Sequence, residues 1–346
     1  MGANAEGQSL SWLYEPEPGE HDLDETDVRV RPNPKGNKPR TKIRPDHDGA
    51  ALGLLVGVDK NRYQVLLLDS DTPVNATLAK ELRKDGPAVG DVVALTGDVT
   101  GEEGGLARIV RIEPRKTLLR RSADDTDQVE RVIVANATQL MIVIAAANPE
   151  PRTRLVDRYL AAALDAGLKP IICVTKTDLQ NPTEFLSSFA GLSIPVVQTR
   201  SDEFALGKLH ELLAGEVTVL VGHSGVGKST LVNAIAPSAN RAVGVVNDVT
   251  GRGRHTSTSM RAIKLEDGWI IDTPGIRSFG LGHIDPKNLL RSFEDLWETI
   301  RSCPRGCTHL ADSPDCALDD AVTSGVLGPQ AALRVDSLRR LMTSLH

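Results

Sequence analysis

The chain has 346 residues, of which 40% are hydrophobic, enough for two or three domains with sizeable, mostly aliphatic cores. No apolar run approaches the ~20 residues that cross a bilayer, no basic-then-apolar leader opens the sequence, and four cysteines in this length argue against a disulfide scaffold. The expectation is a soluble cytoplasmic protein with no membrane role.

The formal charge of −6 hides an asymmetry. Residues 1–27 hold no Lys or Arg and eight acids: Glu6, Glu15, Glu17, Glu20, Asp22, Asp24, Glu25 and Asp27. Without these the net charge becomes +2. Arg29, Arg31, Lys35, Lys38, Arg40, Lys42 and Arg44 follow at once, among prolines. This composition predicts a disordered arm over 1–48, acidic then basic. The basic half suits phosphate contacts; the other reading is a solvated tail with no partner.

From 49 to 114 short apolar runs alternate with turns: ALGLLVGV, YQVLLLD, DVVALTGDV and LARIVRIE. They predict a small antiparallel β-barrel of the OB-fold type, a frequent nucleic-acid binder. Tyr63 is its one aromatic, so base stacking is poorly supported. Backbone and shape contacts to RNA are one reading, a barrel without a ligand the other.

The pattern changes over 115–284. Gln139–Ala147, Pro170–Val174, Glu216–Val221 and Trp269–Ile271 read as buried strands. Thr153–Ala166 (with Leu155, Tyr159, Ala162 and Ala163 on one side) and Lys228–Ile235 read as helices. Continuous apolar strands alternating with helices predict a parallel sheet covered on both faces.

Four motifs lie on this frame. Thr175, Lys176, Thr177 and Asp178 follow the second strand and resemble the guanine-reading NKxD motif of GTPases. A carboxylate such as Asp178 accepts hydrogen bonds from guanine N1–H and its amino group, a pair adenine lacks. The usual first residue is Asn, which ties this loop to the phosphate loop. Thr175 in its place predicts weaker nucleotide affinity with base choice kept. The alternative is a polar strand end.

Gly222, His223, Ser224, Gly225, Val226, Gly227, Lys228 and Ser229 fit GxxxxGK[ST], between an apolar strand and a helix that begins with Lys228, Ser229 and Thr230. Glycines let backbone N–H groups converge on phosphate oxygens, Lys228 neutralises the β- and γ-phosphates, and the Ser229 hydroxyl ligates Mg²⁺. The positive end of the helix adds to the attraction.

Asp272-Thr-Pro-Gly275 follows the last strand. Asp272 holds Mg²⁺ through water and the Gly275 amide senses the γ-phosphate, unless the segment is only a tight turn. Upstream, within Gly251–Thr258, either Thr256 or Thr258 completes the Mg²⁺ coordination. Ile276 stands where Ras-like enzymes place a water-orienting Gln. His255 is the candidate replacement; a solvated loop residue or an RNA contact is the alternative. The base-reading motif precedes the phosphate loop, the reverse of ordinary GTPases, so the domain reads as circularly permuted. That order sets the second switch beside the C-terminal segment, which nucleotide state can move.

Residues 285–346 look helical, with Leu333, Leu338, Leu341 and Met342 compatible with an amphipathic last helix. Cys303, Cys307, His309 and Cys316 offer three thiolates and an imidazole, a tetrahedral set for one structural Zn²⁺, or else a redox pair or chance cluster. Cys173 sits apart in a strand and reads as packing.

Together these residues resemble the circularly permuted ribosome-small-subunit-dependent GTPase A family of bacteria, from about Gly49 to the C-terminus. The resemblance implies an N-terminal OB-fold, a permuted GTPase domain and a C-terminal zinc-binding domain. It also implies binding to the small ribosomal subunit and its rRNA late in maturation, with GTP hydrolysis to GDP stimulated by the subunit. Departures are Thr175, Ser257 within a run that is typically His-Thr-Thr-Thr, and a zinc spacing one residue shorter in its first gap and one longer in its last. The expected protein is a Mg²⁺-dependent GTP phosphohydrolase acting as a monomer, slow until a partner organises the switch. Its rivals are an NTPase serving another assembly process and an RNA-binding module that nucleotide switches without turnover.

Overall fold

The computed structural model describes residues 47–59, 62–83, 86–122, 130–237, 260–273 and 280–345. Nearly all of the charged arm over 1–48, the stretch holding His255, Thr256 and Thr258, and Gly275 with Ile276 lie outside these residues.

Period-two burial builds the barrel. β1 (Ala51–Asp59), β2 (Arg62–Leu67), β3 (Pro73–Leu78), β4 (Val92–Gly97) and β5 (Ala107–Ile112) turn Leu55, Val65, Leu67, Val74, Val93, Leu95 and Ile109 inward. Neighbours run β1-β2-β3-β5-β4, β4 pairs back onto β1, and only β3 and β5 are parallel. This is the five-stranded OB-type barrel. β3 is the strand that the apolar runs do not announce. Tyr63 is buried in the barrel core and offers no face to a base.

A hairpin, β6 (Leu118–Ser122) and β7 (Glu130–Ala135), leads out of the barrel. The junction is polar and buried. Arg115 Nε and Nη2 donate to the fully buried Asp91 carboxylate at 2.7 and 2.8 Å, and Asn136 Nδ2 donates to Gly90 O at 2.9 Å.

The second sheet is ordered β10 (Val196–Gln198), β9 (Lys169–Thr175), β8 (Gln139–Ala145), β11 (Val217–Val221), β13 (Trp269–Asp272), β12 (Arg261–Lys264). The first five are parallel; β12 is antiparallel to β13. All seven residues of β8 are buried because each face has its own cover. Leu140, Ile142 and Ile144 meet α1 (Thr153–Asp165); Met141, Val143 and Ala145 share a core with α3 (Leu206–Leu213) and α4 (Lys228–Ile235). A short α2 (Thr183–Ser187) follows β9. β12 also meets the barrel: Gly57 of β1 faces Arg261, and Lys264 pairs with Asp71 at 2.7 Å.

The C-terminal segment is helical: α5 (Pro286–Arg291), α6 (Glu294–Ile300), α7 (Ala317–Thr323) and α8 (Ala331–Ser344). Asp285 caps α5 by accepting from Lys287 N at 2.9 Å, with Pro286 in the first turn. Leu289, Phe293, Leu296, Leu338 and Leu341 join the same core as α1. Gly191 lets α8 approach, since a Cβ there would stand 2.4 Å from Leu333 O. Arg340 donates to both oxygens of buried Asp157 on α1 at 2.9–3.0 Å. One expectation fails here: Leu333 is 47% exposed. The buried stripe of α8 runs Ala331, Val335, Leu338, Leu341 at helical spacing, and Leu333 falls off it.

Candidate functional site

The parallel strands end on one edge, and the candidate residues sit there, as the general rule for open α/β sheets requires. The phosphate loop leaves β11, whose five residues are all buried. A Cβ at Gly222 would stand 2.2 Å from Val143 O of the neighbouring β8, so no larger residue fits. Gly225 and Gly227 take φ of +82° and +94°, conformations that L side chains rarely adopt. α4 starts at Lys228, immediately after. The result is a backbone cradle closed by a helix N-terminus, an arrangement suited to an anion.

Lys228 folds back over the loop. Its Nζ donates to Gly222 O and, at 3.3 Å, to His223 O. Burial pushes this ammonium below its ordinary pKa, and Asp272 pulls the other way. Asp272 ends β13, next to Leu220 of β11. Its Oδ1 is buried with no hydrogen-bond partner, and burial raises its pKa despite Lys228. Thr273 Oγ1 donates to Leu220 O at 2.6 Å and fixes the turn. An orphaned carboxylate oxygen facing a phosphate cradle suits an oxygen-liking divalent cation such as Mg²⁺.

The segment after β9 forms the other wall. Thr175 is buried at the strand end, and its Oγ1 donates to Val226 O at 2.6 Å. Lys176 Nζ donates to Gly225 O at 2.9 Å and also reaches Asn148 O. The tie between this segment and the phosphate loop is therefore present, with a hydroxyl in place of an amide. Thr177 Oγ1 donates to Thr199 O at 3.1 Å. Asp178 is held by a residue that the sequence reading passed over. Ser201 donates to its Oδ1 from backbone N at 2.7 Å and from Oγ at 3.0 Å. The Ser201 amide, first among its causes, keeps the Asp178 carboxyl below the usual range, so it is ionised and acceptor-only. The signal for Ser201 was slight: one small polar residue in a loop after a three-residue strand.

Thus Asp178, the phosphate loop and Asp272 line one sheet edge, although they follow one another in the chain in permuted order. Ser229 and Thr230 open α4 at the cradle. Of the motif residues expected at this edge, His255, Thr256, Thr258 and Gly275 fall outside the described residues.

A second centre lies between α6 and α7. The ligand atoms of Cys303, Cys307, His309 and Cys316 are all within 4.8 Å of one another. Cys303 and Cys316 Sγ are 4.0 Å apart, and Cys307 Sγ is 3.4 Å from His309 Nδ1. A tetrahedral ion with ~2.3 Å bonds to sulfur sets sulfurs ~3.8 Å apart, so the four groups fit a metal. Burial, then the Arg339 guanidinium, lowers the His309 pKa, which favours the neutral imidazole a metal needs. His309 takes φ of +59° and Gly306 +86°, so the loop is shaped by its donors rather than by a helix or strand.

A family model described as RsgA GTPase matches residues 112–282. The chain is 36% identical over 308 residues to a protein of Pseudomonas putida named small ribosomal subunit biogenesis GTPase RsgA, covering 85% of each. It is 37% identical over 267 residues to the protein of that name in Haemophilus influenzae, covering 74% of this chain and 75% of that one. Among solved structures it resembles YjeQ from Thermotoga maritima, with a TM-score of 0.62 and 25% identity, over 85% of this chain and 98% of that one. It also resembles YloQ, titled a circularly permuted GTPase, with a TM-score of 0.60 and 27% identity, over 87% of this chain and 96% of that one.

Proposed function

The chain belongs to the RsgA GTPase family, and from that premise we propose that it hydrolyses GTP at the edge of the parallel sheet to assist maturation of the small ribosomal subunit. The observation that carries the reading is the convergence at one edge of a phosphate cradle, an ionised Asp178 and the orphaned Asp272 oxygen.

Each residue then has a role. Asp178, clamped by Ser201, accepts from guanine N1–H and the amino group. The amides of Ser224 to Ser229 surround the β-phosphate, and Lys228 trades its bonds to Gly222 O and His223 O for phosphate oxygens. Ser229 and Asp272, with Thr256 or Thr258, hold Mg²⁺, which supplies positive charge for the phosphate oxygens. Gly275 senses the γ-phosphate, and His255 orients the attacking water that Ile276 cannot. Such a reaction needs positioning and charge more than covalent help from the protein.

The four-donor centre holds one structural zinc, to which three thiolates and an imidazole are suited. The barrel and the metal-bearing segment contact rRNA, with the basic half of the arm as a further contact. Tyr63 being buried, the barrel contact is made by backbone and shape. The protein acts as a monomer in the cytoplasm and away from membranes; among the described residues no helix is long and apolar enough to cross one.

The test is GTP turnover with and without purified small subunits across a range of salt. Stimulation that falls as salt rises is expected. Turnover that subunits leave unchanged at every salt concentration overturns the ribosomal assignment. GTP binding without hydrolysis in either case overturns the enzymatic one.

A further inference from the structure

We infer that Thr175, though it lies in the base-reading segment, acts on the phosphate cradle and not on the base. The inference rests on the nucleotide reading above and sharpens it.

A hydroxyl carries one proton. That of Thr175 is directed to Val226 O at 2.6 Å, and a second acceptor, Ile144 O at 3.2 Å, competes for the same proton. Thr175 is buried and lies under the loop: a Cβ at Gly227 would touch its Oγ1, Cβ and Cγ2 at 3.6–3.8 Å. Lys176 holds the preceding carbonyl, Gly225 O, from the same strand end. In a trans peptide the C=O and N–H point in opposite directions. Pinning the carbonyls of Gly225 and Val226 toward β9 therefore turns the next two amides, of Val226 and Gly227, away from β9 and toward the cradle. Two donors at the end of one strand set the direction of two successive phosphate-binding amides.

The consequence for the base is chemical. Guanine shows acceptors at O6 and N7. A hydroxyl whose proton is already given to Val226 O has nothing to donate to either. An Asn carboxamide has two N–H groups and can serve a carbonyl and a base together; Thr175 serves the carbonyl alone. The affinity it controls therefore follows the β-phosphate and ignores the purine. Breaking the tie leaves Val226 O buried without its donor, a loss on the scale of one buried hydrogen bond.

The experiment compares GDP, 7-deaza-GDP and GMP on the full chain, by competition fluorescence for the diphosphates and by saturation-transfer NMR for GMP. Thr175→Val, close in shape but without the hydroxyl, is expected to weaken GDP and 7-deaza-GDP by the same factor, about tenfold. GMP, which lacks the phosphate the loop surrounds, is expected to bind as it does to the native chain. Thr175→Ser keeps a hydroxyl and is expected within about threefold of native for all three. A loss confined to GDP, or one that extends equally to GMP, overturns the inference, as does Thr175→Val binding GDP as tightly as native. Thr175→Ser losing as much as Thr175→Val shows that packing, not the hydroxyl, is at work and overturns it too. A native chain that binds none of the three overturns the nucleotide reading itself.

Discussion

The phosphate cradle and the four-donor metal centre reach order by opposite routes. The cradle is backbone set between a buried strand and a helix, tied to its neighbour by Thr175 and Lys176. The metal centre is four side chains on an irregular loop between α6 and α7, drawn within 4.8 Å of one another. The sheet and its two cores form the cradle; the donors themselves form the metal loop. Ligand removal should therefore leave the first intact and undo the second.

The sharpest way to break this comparison is Cys316→Ser. Cys316 is buried and precedes α7 directly. Losing one of the three thiolates among four donors is expected to strip the metal and cost the C-terminal segment ~3 kcal/mol or more, since metal binding in such loops is largely folding energy. Metal content by mass spectrometry together with hydrogen exchange over 301–323 checks it. A metal-free variant with native protection there would mean that the loop is as self-sufficient as the cradle.

Gly222→Ala tests the other side. Its methyl would stand 2.2 Å from Val143 O, and both atoms are backbone-anchored, so the loop must move. GDP affinity is expected to fall by about 100-fold, an energy of ~2.7 kcal/mol, while the melting temperature changes little because only a loop is displaced. Calorimetric titration beside a thermal melt separates the two. Native affinity would show that the cradle is more pliant than its packing suggests.

How far these regions can be read from sequence follows the same division. β8, β9, β11 and α4 are legible because continuous apolar strands and a glycine loop leave few alternatives. β3 was missed because it opens on Pro73 and its inward residues, Val74, Ala76 and the half-buried Leu78, never stand side by side. An alternation this short, with alanine at its centre, does not stand apart from a loop. Leu333 was misplaced because aliphatic composition marks a helix but not which leucine lies off its stripe. Thr175 could be read as a departure from Asn; that its hydroxyl still spans to Val226 O depends on how close β9 and the phosphate loop lie. Ser201 was invisible because its value comes from standing beside Asp178, 23 residues earlier in the chain. The cysteines and histidine were legible because ligand chemistry names itself by residue type.

A smaller effect is expected at Asp272. Its buried, unpartnered oxygen raises its pKa above 3.8, so the folded protein holds this proton more tightly than the unfolded chain does. Without cation, stability should therefore fall as pH rises from 3.8 through the raised value. Asp272→Asn should lose that slope and be more stable than the native chain at neutral pH, where the native carboxylate is buried in its charged form, while GTP turnover drops. Unfolding by urea at several pH values, without Mg²⁺, reads it directly. An unchanged slope would show that the oxygen is solvated and that the edge is less prepared for a cation than its burial implies.

The smallest effect concerns how the C-terminal helices are fastened. Arg334 on α8 donates to both oxygens of Asp295 on α6, at 2.9 and 2.6 Å, to Gly191 O at 3.0 Å, and lies over the Phe293 ring at 5.0 Å. The Arg334 hydrogen bonds, first among the causes, hold the Asp295 carboxyl below 3.8. The pair's contribution is thus fully present above pH 3.8 and is lost as pH falls through the lower, folded value. The Asp295 side chain is 49% exposed, so solvent screening limits the pair to ~0.5 kcal/mol. Asp295→Asn should lower stability by about that amount at neutral pH and by nothing in strong acid, where the native carboxyl is itself protonated. Arg334 keeps Gly191 O and the Phe293 ring in either case, so α8 stays docked on the GTPase core. A loss of several kcal/mol would instead mean that α8 hangs on this one ion pair, and that the C-terminal segment relies on side-chain ties even beyond its metal loop.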